Sequence, residues 1–282
     1  MTAEKLKQRL QQSASDLRLI VTTLSSISSP SIHTDCIDEI RKFETIANQL
    51  SSICDLLNPR ENAHKLLQKL PLITDPSTDI VDYHGIKIPF SNARILGFQG
   101  YISMTWSICD SITTAIAPLI CTESTCKDRS NPPQLLTHFI KESKYSSYYT
   151  AYFLKLNYGW AIGVSYVIRN HFFHDGASLQ NGKDFFVGIS LADEFDISNE
   201  GWDFLEKEMA EKHNKLKNDH HRLVSSWPWH RNNLLNLLRL CNEEIDEALT
   251  CLVGWAVGMA TLQARYLLER DFSAISPPAV SS

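Results

Sequence analysis

The sequence predicts an all-α protein, a helical bundle with an N-terminal helical extension and minor β-hairpin insertions. Three observations carry that expectation. Breakers are scarce: 11 Gly and 11 Pro in 282 residues, about 8% against a usual share near 12%. Apolar residues recur at three- and four-residue steps over long windows, the period of a helix face. Three segments, around 98–120, 156–168 and 248–264, have nearly uncharged centres and must bury one another.

Taken in chain order, residues 3–29 read as a helix, with Leu6, Leu10, Leu17, Ile20, Val21, Leu24 and Ile27 on one stripe. The run Ser25-Ser26-Ile27-Ser28-Ser29-Pro30 ends it. A second helix starts near Thr34-Asp35 and carries Ile37, Ile40, Phe43, Ile46, Leu50, Ile53 and Leu57. Asn58-Pro59 reads as a cap followed by a first-turn proline, so a separate short helix is expected to about Leu70. Residues 71–90 hold three prolines, and Val81, Tyr83, Ile86 and Ile88 alternate around His84-Gly85, the pattern of a small hairpin or linker. Ser91-Asn92 caps a helix from Ala93 to about Cys121, and Asn131-Pro132-Pro133 opens a short one to Ser143. Tyr148–His174 is the next long helix, apolar on every side through LNYGWAIGVSYVI. Two short strands are expected in DFFVGIS and ADEFDIS, then a charged helix from Asn199 to about Arg222, and a last long helix from His230 to Arg270. The organisation expected is a helical segment 1–70, a linker or hairpin 71–90, a bundle 91–272 and a flexible tail 273–282.

A short echo links Gly159-Trp160-Ala161-Ile162-Gly163 with Gly254-Trp255-Ala256-Val257-Gly258. Glycines four apart expose backbone and suit close helix packing. The net charge of −5 excludes nothing about polyanion partners, because local distribution decides that. Seven cysteines without a C-x-x-C pair argue for reduced thiols and a cytoplasmic location. The N-terminus has no apolar core of a signal peptide. The uncharged run Ala248–Ala264, 17 residues, is just short of a membrane span and reads as a buried core helix, so no membrane partner is expected.

The chemistry concentrates in Ile168-Arg169-Asn170-His171-Phe172-Phe173-His174-Asp175-Gly176, which closes the most apolar helix. Gly176 fits a helix C-cap, which puts His174 in the last turn. Asn170 and His174 are one turn apart and share a face, with Arg169 about 100° to one side. A helix C-terminus favours a protonated imidazole. A guanidinium offers a fork of donors that matches phosphate. An Arg, an amide and a His suffice for RNA transphosphorylation: the His moves a proton and the cation stabilises charge growing on the phosphate oxygens. Neither metal nor cofactor is needed, and the requirement for a 2′-OH selects RNA.

This arrangement resembles the HEPN superfamily of α-helical ribonucleases, whose motif is R-x4–6-H with a polar residue, often Asn, after the Arg. Arg169-Asn170-His-Phe-Phe-His174 matches at the shortest spacing. The resemblance covers those residues and the helical context around them. It implies a four- or five-helix bundle and a homodimer whose two motifs face each other across one composite cleft. It also implies metal-independent endoribonuclease activity, as a toxin or antiviral effector, with a neutralising or activating partner protein. Arg169 and His174 are then catalytic and Asn170 supports them. One HEPN group, toxins paired with nucleotidyltransferases, carries a Tyr two residues after the His; here that position is Gly176.

Further substrate contacts are expected from His171 and from the basic, aromatic stretch 212–231, through Lys215, Lys217 and Arg222. Other readings use the same residues. Arg169 fits a structural pair with Asp110, a lone acid on another apolar helix. A helical module that binds protein or RNA without cutting fits the same composition. His174-Asp175, with His138 and Asp246, fits the H…HD…D ligand pattern of a metal phosphohydrolase. His171 and His174 fit two ligands of a zinc site that lacks an obvious third.

Overall fold

The computed structural model describes residues 2–27, 34–69, 80–83, 85–120, 149–174 and 234–275, together with Asp203, Leu205 and Lys207. Among these the chain is all-α, built from five long helices and one small hairpin. The helices are α1 (Thr2–Ile27), α2 (Thr34–Lys69), α3 (Phe90–Ile120), α4 (Tyr149–His174) and α5 (Leu234–Ile275). Strands β1 (Ile80–Tyr83) and β2 (Ile86–Pro89) lie between α2 and α3.

Helix α1 forms because its leucines fall on one face: Leu6, Leu10, Leu17 and Leu24 are all buried. That face packs on α2 and α5. Two polar links fasten it: Arg18 Nη2 donates to Ser51 Oγ at 2.9 Å, and Lys5 pairs with Glu247 at 3.3 Å. The second link is exposed and contributes little.

Helix α2 departs from the expectation of a break at Asn58-Pro59. It continues through Pro59 to Lys69 as one 36-residue helix. A proline nitrogen cannot donate to the Asp55 carbonyl. Both residues lie on the exposed side, where a carbonyl freed from the helix ladder is accessible to solvent and costs little. On the opposite side the stripe Ile53, Leu57, Arg60, His64 and Leu67 stays buried without interruption. Burial of both halves in one core therefore outweighs the lost bond. Pro118, in the last turn of α3, is exposed in the same way.

The hairpin pairs Ile80 with Pro89, Val81 with Ile88, Asp82 with Lys87 and Tyr83 with Ile86. In the turn Gly85 takes φ +83°, a conformation that side chains with a Cβ rarely adopt. Its N–H donates to Asp82 Oδ1 at 2.7 Å.

The three uncharged segments bury as their composition requires. Helix α5 packs against α1, α3 and α4, and one contiguous core draws on all five helices. Phe98, Ile102, Trp106, Cys109, Ile112 and Ile116 of α3 line it at helical spacing. The buried hydroxyls of Thr105 and Thr113 donate to the carbonyls of Tyr101 and Cys109 in their own helix, at 3.2 and 2.7 Å. Helices α1 and α2 share this core with the rest. Leu205 joins it from outside the five helices. Among the described residues one helix, over Leu234–Glu269, is long and apolar enough to cross a membrane, and half of its most apolar window is buried inside the protein. Gly254 departs from the expected helix–helix approach: the space beside it is taken by the guanidinium of Arg9, 3.7 Å from where a Cβ would stand.

The expected short helix 131–143, the two strands after Gly182 and the basic stretch 212–231 lie outside the described residues.

Candidate functional site

Helix α4 ends at His174, and its last described side chains are Arg169 and Asn170. The apolar middle of α4 anchors this end. Ala161, Ile162, Val164 and Ile168 are fully enclosed, so the helix cannot rotate without exposing them. The same anchoring leaves Arg169 and Asn170 only half-buried. Arg169 Nη1 donates to Asn170 Oδ1 at 3.3 Å. The guanidinium carbon stands 5.8 Å from the centre of the Trp106 ring on α3. A cation over an indole face contributes about 0.5–1 kcal/mol at such partly exposed sites. Tyr166, one turn back on α4, meets the same indole edge-on, with ring centres 5.6 Å apart. The cation is thus held, among the described residues, by an aromatic floor and a neighbouring amide.

Asp110 lies one turn beyond Trp106 on α3. Burial pushes its carboxyl up to about 6, and the positive charge of Arg169 only partly offsets that. Asp110 Oδ1 and Trp106 Nε1 are buried without a hydrogen-bond partner among the described residues. The structural partner foreseen for Arg169 is therefore nearby and felt electrostatically. Among the described residues, however, no ion pair joins the two. Asp110 also forms part of the wall of an open groove of about 770 Å³ between α2 and α3. Its wall mixes hydroxyl and amide side chains, Thr45, Asn48, Gln49, Ser52, Ser111 and Thr114, with the apolar Ile53, Leu56 and Ala115.

The expected site residues divide as follows. Arg169 and Asn170 are adjacent, hydrogen-bonded and partly open. His171 and His174 belong to α4, but their side chains lie outside the described residues. Lys215, Lys217 and Arg222 lie outside them altogether, as does His138.

Asp246 has a role the sequence reading did not foresee. Its two carboxylate oxygens accept from Arg60 Nη1 and Nη2 at 2.8 and 2.5 Å. Both side chains are almost fully enclosed. Burial works against both charges, but a forked, two-bond geometry is that of an ionised pair. Asp246 is thus engaged from α2 and is not presented as a metal ligand. Among the described residues no group of three His, Cys, Asp or Glu is arranged to hold a metal ion. Beside this pair, Asn242 Nδ2 donates to Tyr101 Oη at 2.6 Å. The signal for this cluster was in the sequence: Arg60 and His64 fall on the apolar stripe of α2, and Asn242 and Asp246 on that of α5. A charge at a core position calls for a partner.

Comparison with family models, with curated proteins and with solved structures finds no match to this chain.

Proposed function

We propose that this protein is a metal-independent endoribonuclease of the HEPN type, acting on single-stranded RNA through Arg169, Asn170 and His174. The observation that carries the reading is the state of Arg169. It is a partly buried cation seated on Trp106 and bonded to Asn170, at the end of a buried helix. A cation meant only for structure would be enclosed by its partner, as Arg60 is.

The reaction proceeds in line. His174 removes the proton of the ribose 2′-OH, and the 2′ oxygen bonds to the adjacent phosphorus. The P–O5′ bond breaks and the 5′ oxygen takes up a proton. The products are a 2′,3′-cyclic phosphate and a 5′-OH. Arg169 stabilises the charge that builds on the non-bridging oxygens, and Asn170 holds the guanidinium in place. In this account two subunits pair so that their motifs share one cleft, the enzyme works in the cytoplasm, and its biological role is toxin or antiviral defence under control of a partner protein.

The test is incubation of the purified protein with single-stranded RNA in EDTA, beside Arg169→Ala and His174→Ala. The reading expects cutting by the parent alone. Cutting that requires Mn²⁺ contradicts it. A second reading, a module that binds without cutting, is favoured by the open groove between α2 and α3, whose wall is mixed polar and apolar. It expects RNA or protein binding by all three proteins and cleavage by none.

A further inference from the structure

The groove between α2 and α3 encloses about 770 Å³, within the range of roughly 300–1,000 Å³ that small-molecule sites occupy. One ridge of α3 ties it to the candidate site. Trp106, Asp110 and Thr114 follow one another at four-residue steps and stand in a row along the helix. Trp106 seats the Arg169 guanidinium, while Asp110 and Thr114 belong to the groove wall. The row leads from the cation into the groove.

Three features define what fits there. The first is uncommitted hydrogen bonding at accessible side chains. Gln49 and Thr114 are exposed, and neither side chain makes a hydrogen bond among the described residues. Asn48 Oδ1 accepts from Arg18 Nη2 at 3.3 Å, which leaves the two N–H donors of that amide. The hydroxyls of Thr45 and Ser52 donate to the carbonyls of Arg41 and Asn48, at 2.8 and 3.1 Å, and keep their lone pairs. The wall thus offers donors and acceptors together. The second feature is charge. Among the described residues of the wall Asp110 alone is ionisable. A carboxylate repels phosphate, and Arg169 already offsets part of its charge, so no further cation is called for. The occupant is neutral. The third is an apolar bed. Leu56, 41% exposed, lies one turn from Ile53 and offers a surface for the face of a planar ring. A neutral group with donors and acceptors on its edge and an apolar face is a nucleobase, and the neighbouring cation suits the phosphate attached to it.

From this geometry we infer that the α2–α3 groove is a nucleobase subsite. It takes the base adjoining the scissile phosphate, with its edge against Gln49 and Thr114 and its face against Leu56, while the phosphate lies at Arg169. The place of the phosphate rests on the ribonuclease reading; binding of the base is measured without cleavage.

The experiment has two arms, each run on the full chain and on the double variant Gln49→Ala/Thr114→Ala. Both replaced side chains are exposed and without hydrogen bonds, so the variant's Tm stays near the parent's. In the first arm, calorimetric titration and saturation-transfer NMR use adenosine, guanosine, cytidine and uridine, with ribose and inorganic phosphate as controls. The expected result is binding of at least one nucleoside and of neither control, weakened roughly tenfold in the variant by two lost hydrogen bonds. In the second arm, cleavage of single-stranded RNA in EDTA is expected to show KM raised about tenfold with kcat near the parent's, since the base is held alike before and during the reaction. A parent that cuts RNA but binds no nucleoside, with KM unchanged in the variant, overturns the subsite and leaves the ribonuclease reading standing. Nucleoside binding that the variant weakens, in a chain that cuts no RNA, overturns the ribonuclease reading and supports the groove as a nucleobase site. Nucleoside binding unchanged in the variant, or matched by ribose or phosphate, overturns the inference whatever the cleavage arm shows.

Discussion

Replacing Asp246 by Leu leaves the Arg60 guanidinium, which is 1% exposed and bonded to Asp246 through both of its terminal nitrogens, without its buried partner; the partly exposed Glu61 carboxylate, 3.6 Å from Nη2, is a weak substitute. Removing one partner of a buried ion pair leaves an unpaired charge in the core and costs about 3–5 kcal/mol. Arg60→Met removes the other partner and is expected to cost a similar amount. The double variant Arg60→Met/Asp246→Leu fills the same space with apolar atoms and carries no charge. Such replacements are often neutral or stabilising, so it is expected within about 1 kcal/mol of the parent. Urea unfolding followed by far-UV circular dichroism reads all four proteins. With a slope of about 3 kcal/mol per molar urea, each single variant shifts the midpoint down by roughly 1–1.7 M, and the double variant restores most of it. Single variants that cost less than about 1 kcal/mol, or costs that simply add in the double variant, refute the reasoning.

Asp110 gives a pH dependence. Its folded carboxyl titrates near 6 and its ordinary value is 3.8, so the folded state holds the proton longer than the unfolded one. Stability is fully present below about 4 and falls as pH rises through about 6. Asp110→Asn is expected to flatten that slope and gain about 1 kcal/mol at pH 7, a figure reduced because the group is only half-buried. Chemical denaturation at pH 4, 6 and 8 checks it, and an unchanged slope contradicts it. Trp106→Ala removes a fully enclosed ring and is expected to cost about 3–5 kcal/mol in the same urea assay. It also takes away the seat of Arg169. Gly85→Ala forces a Cβ into a left-handed turn and is expected to cost about 1–2 kcal/mol. A Tm equal to the parent's would show that the hairpin contributes nothing to stability.

The bundle was legible because its strongest signals are long-range in sequence but simple in kind. Uncharged segments in α3, α4 and α5 had to be covered, and the leucine stripe of α1 had to cover something. A break at Pro59 follows from the local sequence alone, and the surroundings of the proline remove it. An exposed ring and a water-facing carbonyl make the break unnecessary, and only the fold reveals which side is exposed. Arg169-Asn170 was legible as an adjacent pair at the end of an apolar helix. Its seat on Trp106 was not, since that residue is 63 positions away in the chain. The Arg60–Asp246 pair spans 186 positions, and no periodicity links its members. Gly254 shows the same limit: the motif announced a close approach, and the approaching group is a guanidinium from α1.

Cleavage of an oligoribonucleotide carrying a single 2′-deoxy position, in EDTA, tests the central claim most directly. The account predicts cutting at ribose linkages with 2′,3′-cyclic phosphate ends, no cutting 3′ of the deoxy position, and a fall of about a hundredfold or more in rate for Arg169→Ala. Scission at the deoxy linkage, or equal rates with and without the Arg169 guanidinium, would contradict it.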